Sequence, residues 1–299
     1  MSSETVPEAV APSPETGLLD DFSLEMTGKD IRKLEEARGT IPPGTRINIT
    51  FLGNEDLTMR IEAAKAVKQY GFTPVPHFSA RRIGSEQGLE EFLAALQATG
   101  ASERLFAVAG DPAEPQGPYP DALSLLRSGK LERFGTTAVS VAGYPEGHPD
   151  IPDDVLWAAL TDKATVLHAK NLGDSIITQF GFDGDAVLSW VERVREEGIA
   201  LPVRIGVPGP AGVRRLLAYA SRFGVSTSAG IARKYGLSLT NLMGTAGPDK
   251  FIRQLADRYD TSRHGQVKLH FYTFGGIAAT AEWISAFQGA GKRDRRAEV

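Results

Sequence analysis

The chain has 299 residues, 41% of them hydrophobic, a formal net charge of −4 and no cysteine. A chain of that length buries a large core, as one barrel-sized domain or two smaller ones. Disulfides, thiolate metal sites and cysteine nucleophiles are excluded, and scattered Lys and Arg in an acidic chain leave no basic footprint for nucleic acid. No apolar run approaches the roughly 20 residues that span a bilayer, so a cytoplasmic protein without membrane contact is expected.

Residues 1–20 are rich in Glu, Pro, Ser and Ala and lack the basic start and apolar core of a signal peptide. They read as a disordered leader before one domain over residues 21–299. From there β-rich runs alternate with helix-period segments. The strand candidates are Phe22–Thr27, Arg46–Phe51, Pro74–Ser79, Arg104–Gly110, Thr137–Tyr144, Ser175–Phe182, Pro202–Val207 and Lys268–Phe274. Helical segments include Glu55–Tyr70, Gln87–Thr99, Asp153–Lys170, Asp185–Glu197 and Pro210–Phe223. Eight such alternations predict an α/β fold, a single-domain (β/α)8 TIM barrel. Room for two further helices, Ser228–Tyr235 and Pro248–Arg258, predicts a helical insertion before the last strand.

In such barrels the chemistry sits at the carboxyl ends of the strands. Those ends carry Glu25, Thr50, His77, Asp111, Tyr144 with His148, Gln179, and Tyr272 with Thr273. Each alone has an ordinary structural role open to it: a helix cap, a satisfied buried histidine, a loop hydrogen bond or packing. Their coincidence at one register points to a ligand site. Within VAGYPEGHP, Pro145 and Pro149 stiffen a turn that carries Tyr144, Glu146 and His148. Glu25 stands between Leu24 and Met26, where an unpaired charge is costly, and suits a general acid or a salt bridge across the mouth. Asp111 follows Gly110, a pairing that lets a ligand approach but also suits any turn. GGIAAT, at 275–280, can present amides to a phosphate or simply make a tight turn. No serine-hydrolase elbow, HExxH helix or P-loop occurs, and His77 and His148 lack metal-ligand spacing.

Taken in order on eight repeats, SLEMT, ITF, PHFSA, AGD, VAGYPEGHPD, IITQFGFD and HFYTF resemble the methylenetetrahydrofolate reductase family. The resemblance spans nearly the whole chain after the leader and is most specific in VAGYPEGHP and IITQFGFD. It implies a flavoprotein barrel that passes a hydride from NADH or NADPH through FAD to 5,10-methylenetetrahydrofolate, a reaction that is reversible in principle. By the same resemblance Glu25 matches the acid that protonates folate N10, and Asp111 a carboxylate beside flavin and pterin. Gln179 matches an amide that meets substrate and nicotinamide in turn. Thr50, His77, Gly110, Tyr144 and His148 match the flavin lining, and Lys170 a lysine near its phosphates. A homo-oligomer is implied, and, since the chain stops soon after the eighth helix, no regulatory domain.

The chain also departs from that pattern. Ala109 stands where the family has Arg before Gly-Asp, and Phe274-Gly275-Gly276 where it has Leu-Asn-Arg. Phe51 replaces a Tyr, and Gly181 an aromatic residue. The missing cations bear on the flavin and the folate respectively, with Arg81 and Arg82, or Arg214 and Arg215, in place to supply charge or to form a solvated rim. Two alternatives stand beside the reductase: a flavin- or folate-binding barrel subunit of a larger redox complex, motivated by Ala109 and Gly276, and a barrel acting on an unrelated small molecule.

Overall fold

In a computed structural model describing residues 14–51, 53, 55–222 and 245–297, eight parallel strands close into a barrel. They are β1 (Ser23–Met26), β2 (Arg46–Ile49), β3 (Thr73–Ser79), β4 (Arg104–Val108), β5 (Ala138–Gly143), β6 (Gly173–Phe180), β7 (Val203–Pro208) and the last strand, Val267–Tyr272. Each strand pairs with its neighbour in the chain, and the last closes on β1 with Ser23 opposite His270. The expected TIM barrel is observed, its strand ends shifted by no more than two residues. Two short strands, β8 (Ala211–Gly212) and β9 (Thr245–Ala246), pair antiparallel outside the barrel. The last barrel strand is therefore β10. Of the two inserted helices, Pro248–Arg258 is found as Asp249–Arg258, while Ser228–Tyr235 lies outside the described residues.

The helices start where the sequence supplies caps. Asp56 accepts from the Met59 amide at 2.7 Å to open α3 (Leu57–Gln69), and Ser85 accepts from the Gly88 amide at 3.0 Å to open α4 (Glu86–Ala98). Outside the barrel, α7 (Asp153–Ala169) and α8 (Gly184–Glu196) bring Trp157 and Trp190 together, ring centroids 5.7 Å apart. The outward strand positions, including Leu24, Ile47, Phe78, Leu105, Val139, Ile205, Leu269 and Phe271, are buried beneath this helical layer.

The inward positions differ. At the amino end of the barrel they form a charged layer rather than an apolar plug. Asp174 accepts from Arg104 Nη1 at 2.7 Å and from Ser140 Oγ at 3.0 Å, with Arg46 Nη2 3.7 Å away. Arg204, 3% exposed, donates to the carbonyl and the carboxylate of Asp21, each at 2.6 Å.

The leader requires a correction. Residues Pro14–Leu19 form a helix, α1, whose Leu18 and Leu19 are buried, and Lys268 Nζ donates to the Gly17 carbonyl at 2.8 Å. Order begins before residue 21 because these two leucines pack against the outside of the barrel, where burial offsets the chain entropy of one short helix.

Candidate active site

Above the charged layer the inward positions open into a cavity of roughly 840 Å³ at the carboxyl ends of the strands. Its floor is apolar, formed by Phe106, Val108, Ala142 and Ile177. Its walls carry Glu25, Thr50, His77, Gly110, Asp111, Tyr144, Gln179, Tyr272 and Thr273. All the strand-end residues singled out in the sequence meet here except His148.

Glu25 projects from β1 into the cavity. Its Oε2 lies 3.6 Å from His270 Nε2, and His270 Nδ1 lies 2.9 Å from Ser23 Oγ. His270 is wholly buried, and its Nε2 makes no hydrogen bond. A fixed imidazole therefore faces the carboxyl group on its inner side. Thr273 Oγ1 donates to the Glu25 carbonyl at 2.7 Å, and the Tyr272 hydroxyl donates to the Thr178 carbonyl at 3.0 Å, tying β1 and β6 to the last strand. Burial holds the phenol of Tyr272 well above the usual tyrosine range, with the Glu25 charge adding to it, and burial likewise raises that of Tyr144. Both hydroxyls keep their protons at neutral pH, and that of Tyr272 is the donor to Thr178.

His270 was missed as a site residue although HFYTF was recognised. The usable signal was alternation: Lys268, His270 and Tyr272 share one face of β10, and the register sets His270 beside Ser23.

His77 stands on the same wall, its Nε2 3.3 Å from Asn48 Nδ2 and its ring edge-on to Phe106 at 4.7 Å. Burial lowers its pKa from 6.5 to about 4, outweighing the attraction of Glu25. The folded protein therefore binds fewer protons at this site than the unfolded chain. The stability this contributes is complete above pH 6.5 and is lost as pH falls toward 4. We expect His77→Asn to flatten the acid limb of the stability curve between those two values, as read from urea midpoints; an unchanged slope would remove His77 as its source.

Around the rim, Gly110 has φ +94° and no space for a Cβ, which would run into Ser79 Oγ. The glycine lets the β4 loop fold tightly onto β3. Asp111 projects beyond it and is held bidentately by Arg82, with Nε–Oδ1 and Nη2–Oδ2 both 2.8 Å. Arg82, from the β3 loop, neutralises Asp111, while Arg81 instead donates to the carbonyls of Pro120 and Pro112. Gly181 opens no free space. Glu146 fills it, accepting from the Phe182 amide at 3.3 Å, and a Cβ on Gly181 would lie 2.8 Å from its Oε1.

Two expected flavin contacts are not in the cavity. His148 packs edge-on against Tyr144 at 5.5 Å, and its Nδ1 accepts from the Asp150 amide at 3.2 Å, so it braces the tyrosine from outside. Lys170 follows the last residue of α7 and pairs with Glu132 at 2.6 Å. It precedes β6, whose eight residues carry the chain roughly 26 Å at about 3.3 Å per residue before reaching the mouth. The αβ loop that carries this lysine therefore lies at the opposite end of the barrel, and Lys170 does not stand at the mouth.

The hydroxyls of Thr50 and Ser79 are buried without hydrogen-bond partners and belong to cavity-lining residues. A flat heteroaromatic ring with polar edges, such as an isoalloxazine or a pterin, would offer them partners. A diphosphate is less well served. The cationic side chains among the described lining residues are Lys33 and Arg215, against Glu25, Asp30, Glu36 and Asp111. Among the described residues no cluster of His, Asp or Glu could hold a metal, and no helix is long and apolar enough to cross a membrane.

A closed (β/α)8 barrel with an acid, a histidine and an amide lining a cavity at the carboxyl ends of its strands has the layout of an enzyme barrel. This chain belongs to the methylenetetrahydrofolate reductase family, whose model matches residues 30–286. It is 30% identical over 112 residues to methylenetetrahydrofolate reductase 2 of Saccharomyces cerevisiae, a stretch covering 35% of this chain and 18% of the yeast protein. It is also 30% identical over 169 residues to methylenetetrahydrofolate reductase (NADH) 1 of Arabidopsis thaliana, covering 52% of this chain and 27% of the plant protein. The matched stretches thus span less than a third of either relative. Among solved structures, an uncharacterized Clostridium thermocellum protein that binds two copies of 5-methyl-5,6,7,8-tetrahydrofolic acid superposes with a TM-score of 0.59. That likeness covers 93% of this chain and 98% of the other at 11% identity, and it bears on the fold.

Proposed function

We propose that this protein interconverts 5,10-methylenetetrahydrofolate and 5-methyltetrahydrofolate, with NADH or NADPH as the hydride source and FAD as the carrier between them. The observation that carries this reading is Glu25, an inward-facing carboxyl group at the mouth of a barrel from this family, backed by His270 at 3.6 Å. In the reducing direction Glu25 gives its proton to N10 of the folate as the bond from N10 to the bridging carbon breaks. That carbon becomes an iminium cation and accepts the hydride, leaving the methyl group on N5. His270, anchored by Ser23, faces the Glu25 carboxyl at 3.6 Å, Asp111 offers negative charge to the cation with Arg82 limiting its swing, and Gln179 orients the pterin. When bound, FAD would supply two-electron transfer, its ring held by Thr50, His77, Gly110 and Tyr144.

A second reading, direct transfer from the nicotinamide to the folate without flavin, is favoured by the acid-rich lining and by Arg82 being engaged with Asp111. An absorbance spectrum of the purified protein with and without FAD, followed by anaerobic NADH and NADPH reduction, separates the two. A flavin spectrum bleached by either nucleotide supports the first reading. Folate-dependent nucleotide oxidation by a colourless protein supports the second, and no oxidation by the isolated chain supports a subunit of a larger redox complex. Under the first reading Tyr144→Ala removes a half-buried ring from the flavin wall and is expected to weaken FAD binding about tenfold, measured by fluorescence titration; undiminished affinity would overturn Tyr144 as a flavin contact.

A further inference from the structure

The cavity lining is rich in acids, but the opposite end of the barrel carries the reverse surplus. At its amino end four strands each turn a cation inward: Arg46 on β2, Arg104 on β4, Arg204 on β7 and Lys268 on β10. Two carboxylates face them, Asp21 just ahead of β1 and Asp174 on β6. The acids next to this layer in sequence, Asp20 and Glu103, are exposed and pair with none of the four among the described residues.

Both carboxylates are already engaged. Arg204 holds Asp21 at 2.6 Å, and Arg104 holds Asp174 at 2.7 Å through a single nitrogen, Nη1. Arg46 lies between the two pairs as the second cation of each, 3.8 Å from Asp21 and 3.7 Å from Asp174. Those separations are too long for hydrogen bonds, and among the described residues its guanidinium has no other acceptor. Lys268 stands directly opposite Arg204 in the sheet, a repulsive pairing, and its Nζ reaches only the carbonyl of Gly17. Four cations against two carboxylates leave two positive charges in excess.

Solvent reaches this layer, since the side chain of Asp21 is 50% exposed and those of Arg104 and Arg46 are 27% and 21% exposed. A guanidinium with its planar fork unfilled, beside a second that uses one nitrogen, suits a tetrahedral oxyanion, whose paired oxygens match that fork. Chloride, a single point, would satisfy fewer of the donors.

We propose that the amino end of the barrel binds a divalent oxyanion of the phosphate or sulfate class, held by Arg46 and by the free nitrogens of Arg104. The site lies at the far end of the barrel from the cavity and does not depend on the folate reading. Its consequence is for stability. An ion that binds only the folded chain, at ten times its dissociation constant, raises the folding equilibrium constant about tenfold.

Urea unfolding of the full-length protein in up to about 10 mM inorganic phosphate, against chloride at matched ionic strength, tests this together with calorimetric titration. The wild-type midpoint should rise and saturate, with one phosphate bound per chain. Arg46→Gln should weaken phosphate binding by about tenfold or more and flatten that rise. In chloride alone the same variant should be no less stable than the wild type, because it removes one of the excess cations. Absence of phosphate binding to the wild type would overturn the site. So would an equal rise in wild type and Arg46→Gln, which is the general effect of an ion excluded from protein surfaces. A clear loss of stability in Arg46→Gln in chloride would overturn it as well, since Arg46 would then be serving Asp21 and Asp174 rather than an external ion.

Discussion

Glu25→Gln is expected to lower folate turnover by about 10²–10⁴-fold, the range over which a positioned general acid acts, while nicotinamide oxidation by an artificial acceptor falls far less. Glutamine keeps the size of the side chain and a hydrogen-bonding carbonyl but has no proton to give to N10. Without that proton the five-membered ring stays closed, and a neutral aminal is a poor hydride acceptor. The two half-reactions should therefore separate in stopped-flow measurements. Equal loss in both would mean that Glu25 shapes the cavity and does no acid chemistry. Its neighbours make the distinction meaningful: His270 lies 3.6 Å away with its Nε2 free of hydrogen bonds, so the amide has a nearby group to meet and the fold has little reason to rearrange.

The second large effect is on stability, at the opposite end of the barrel. Replacing Asp174 with Leu leaves the Arg104 guanidinium, 2.7 Å from its carboxylate, without a partner and removes the charge facing Arg46. Ser140 Oγ loses one of its two partners, keeping Ser175 Oγ at 2.8 Å. Stranding charges in a barrel interior costs on the order of 3 kcal/mol, read as a lower urea midpoint at constant slope. A loss below about 1 kcal/mol would mean that water reaches this layer freely. The double variant Asp174→Leu with Arg104→Leu should recover part of the loss, because removing both partners of a buried pair is milder than removing one.

Most of the site was legible as residue types at strand ends. Thr50, His77, Gly110, Tyr144 and Gln179 line the cavity because each follows or ends an apolar strand, and the barrel brings such positions to one mouth. Lys170 could not be excluded from sequence alone: a lysine just past a helix looks the same whether its phosphate is near or a barrel length away. His148 was legible as part of a stiff turn, but which side of Tyr144 it occupies depends on the Asp150 amide that it accepts from. Arg82 and Arg215 stood out as possible replacement charges, yet only their partners, Asp111 and the Phe274 carbonyl, separate their uses.

Local patterning determined the number of repeats, the order of strands and helices, and even the polar lining, since S-L-E-M, R-I-N-I and K-L-H-F-Y alternate polar-inward with apolar-outward at the two-residue period of a strand. What folding decided was which polar groups meet. Ser23 and Glu25 are separated from His270 by most of the chain and meet it only because closing the barrel pairs the first strand with the last, at a register that no local spacing encodes. Charge neutralisation across the mouth and the amino end works the same way, because it depends on distances of a few ångströms between different loops.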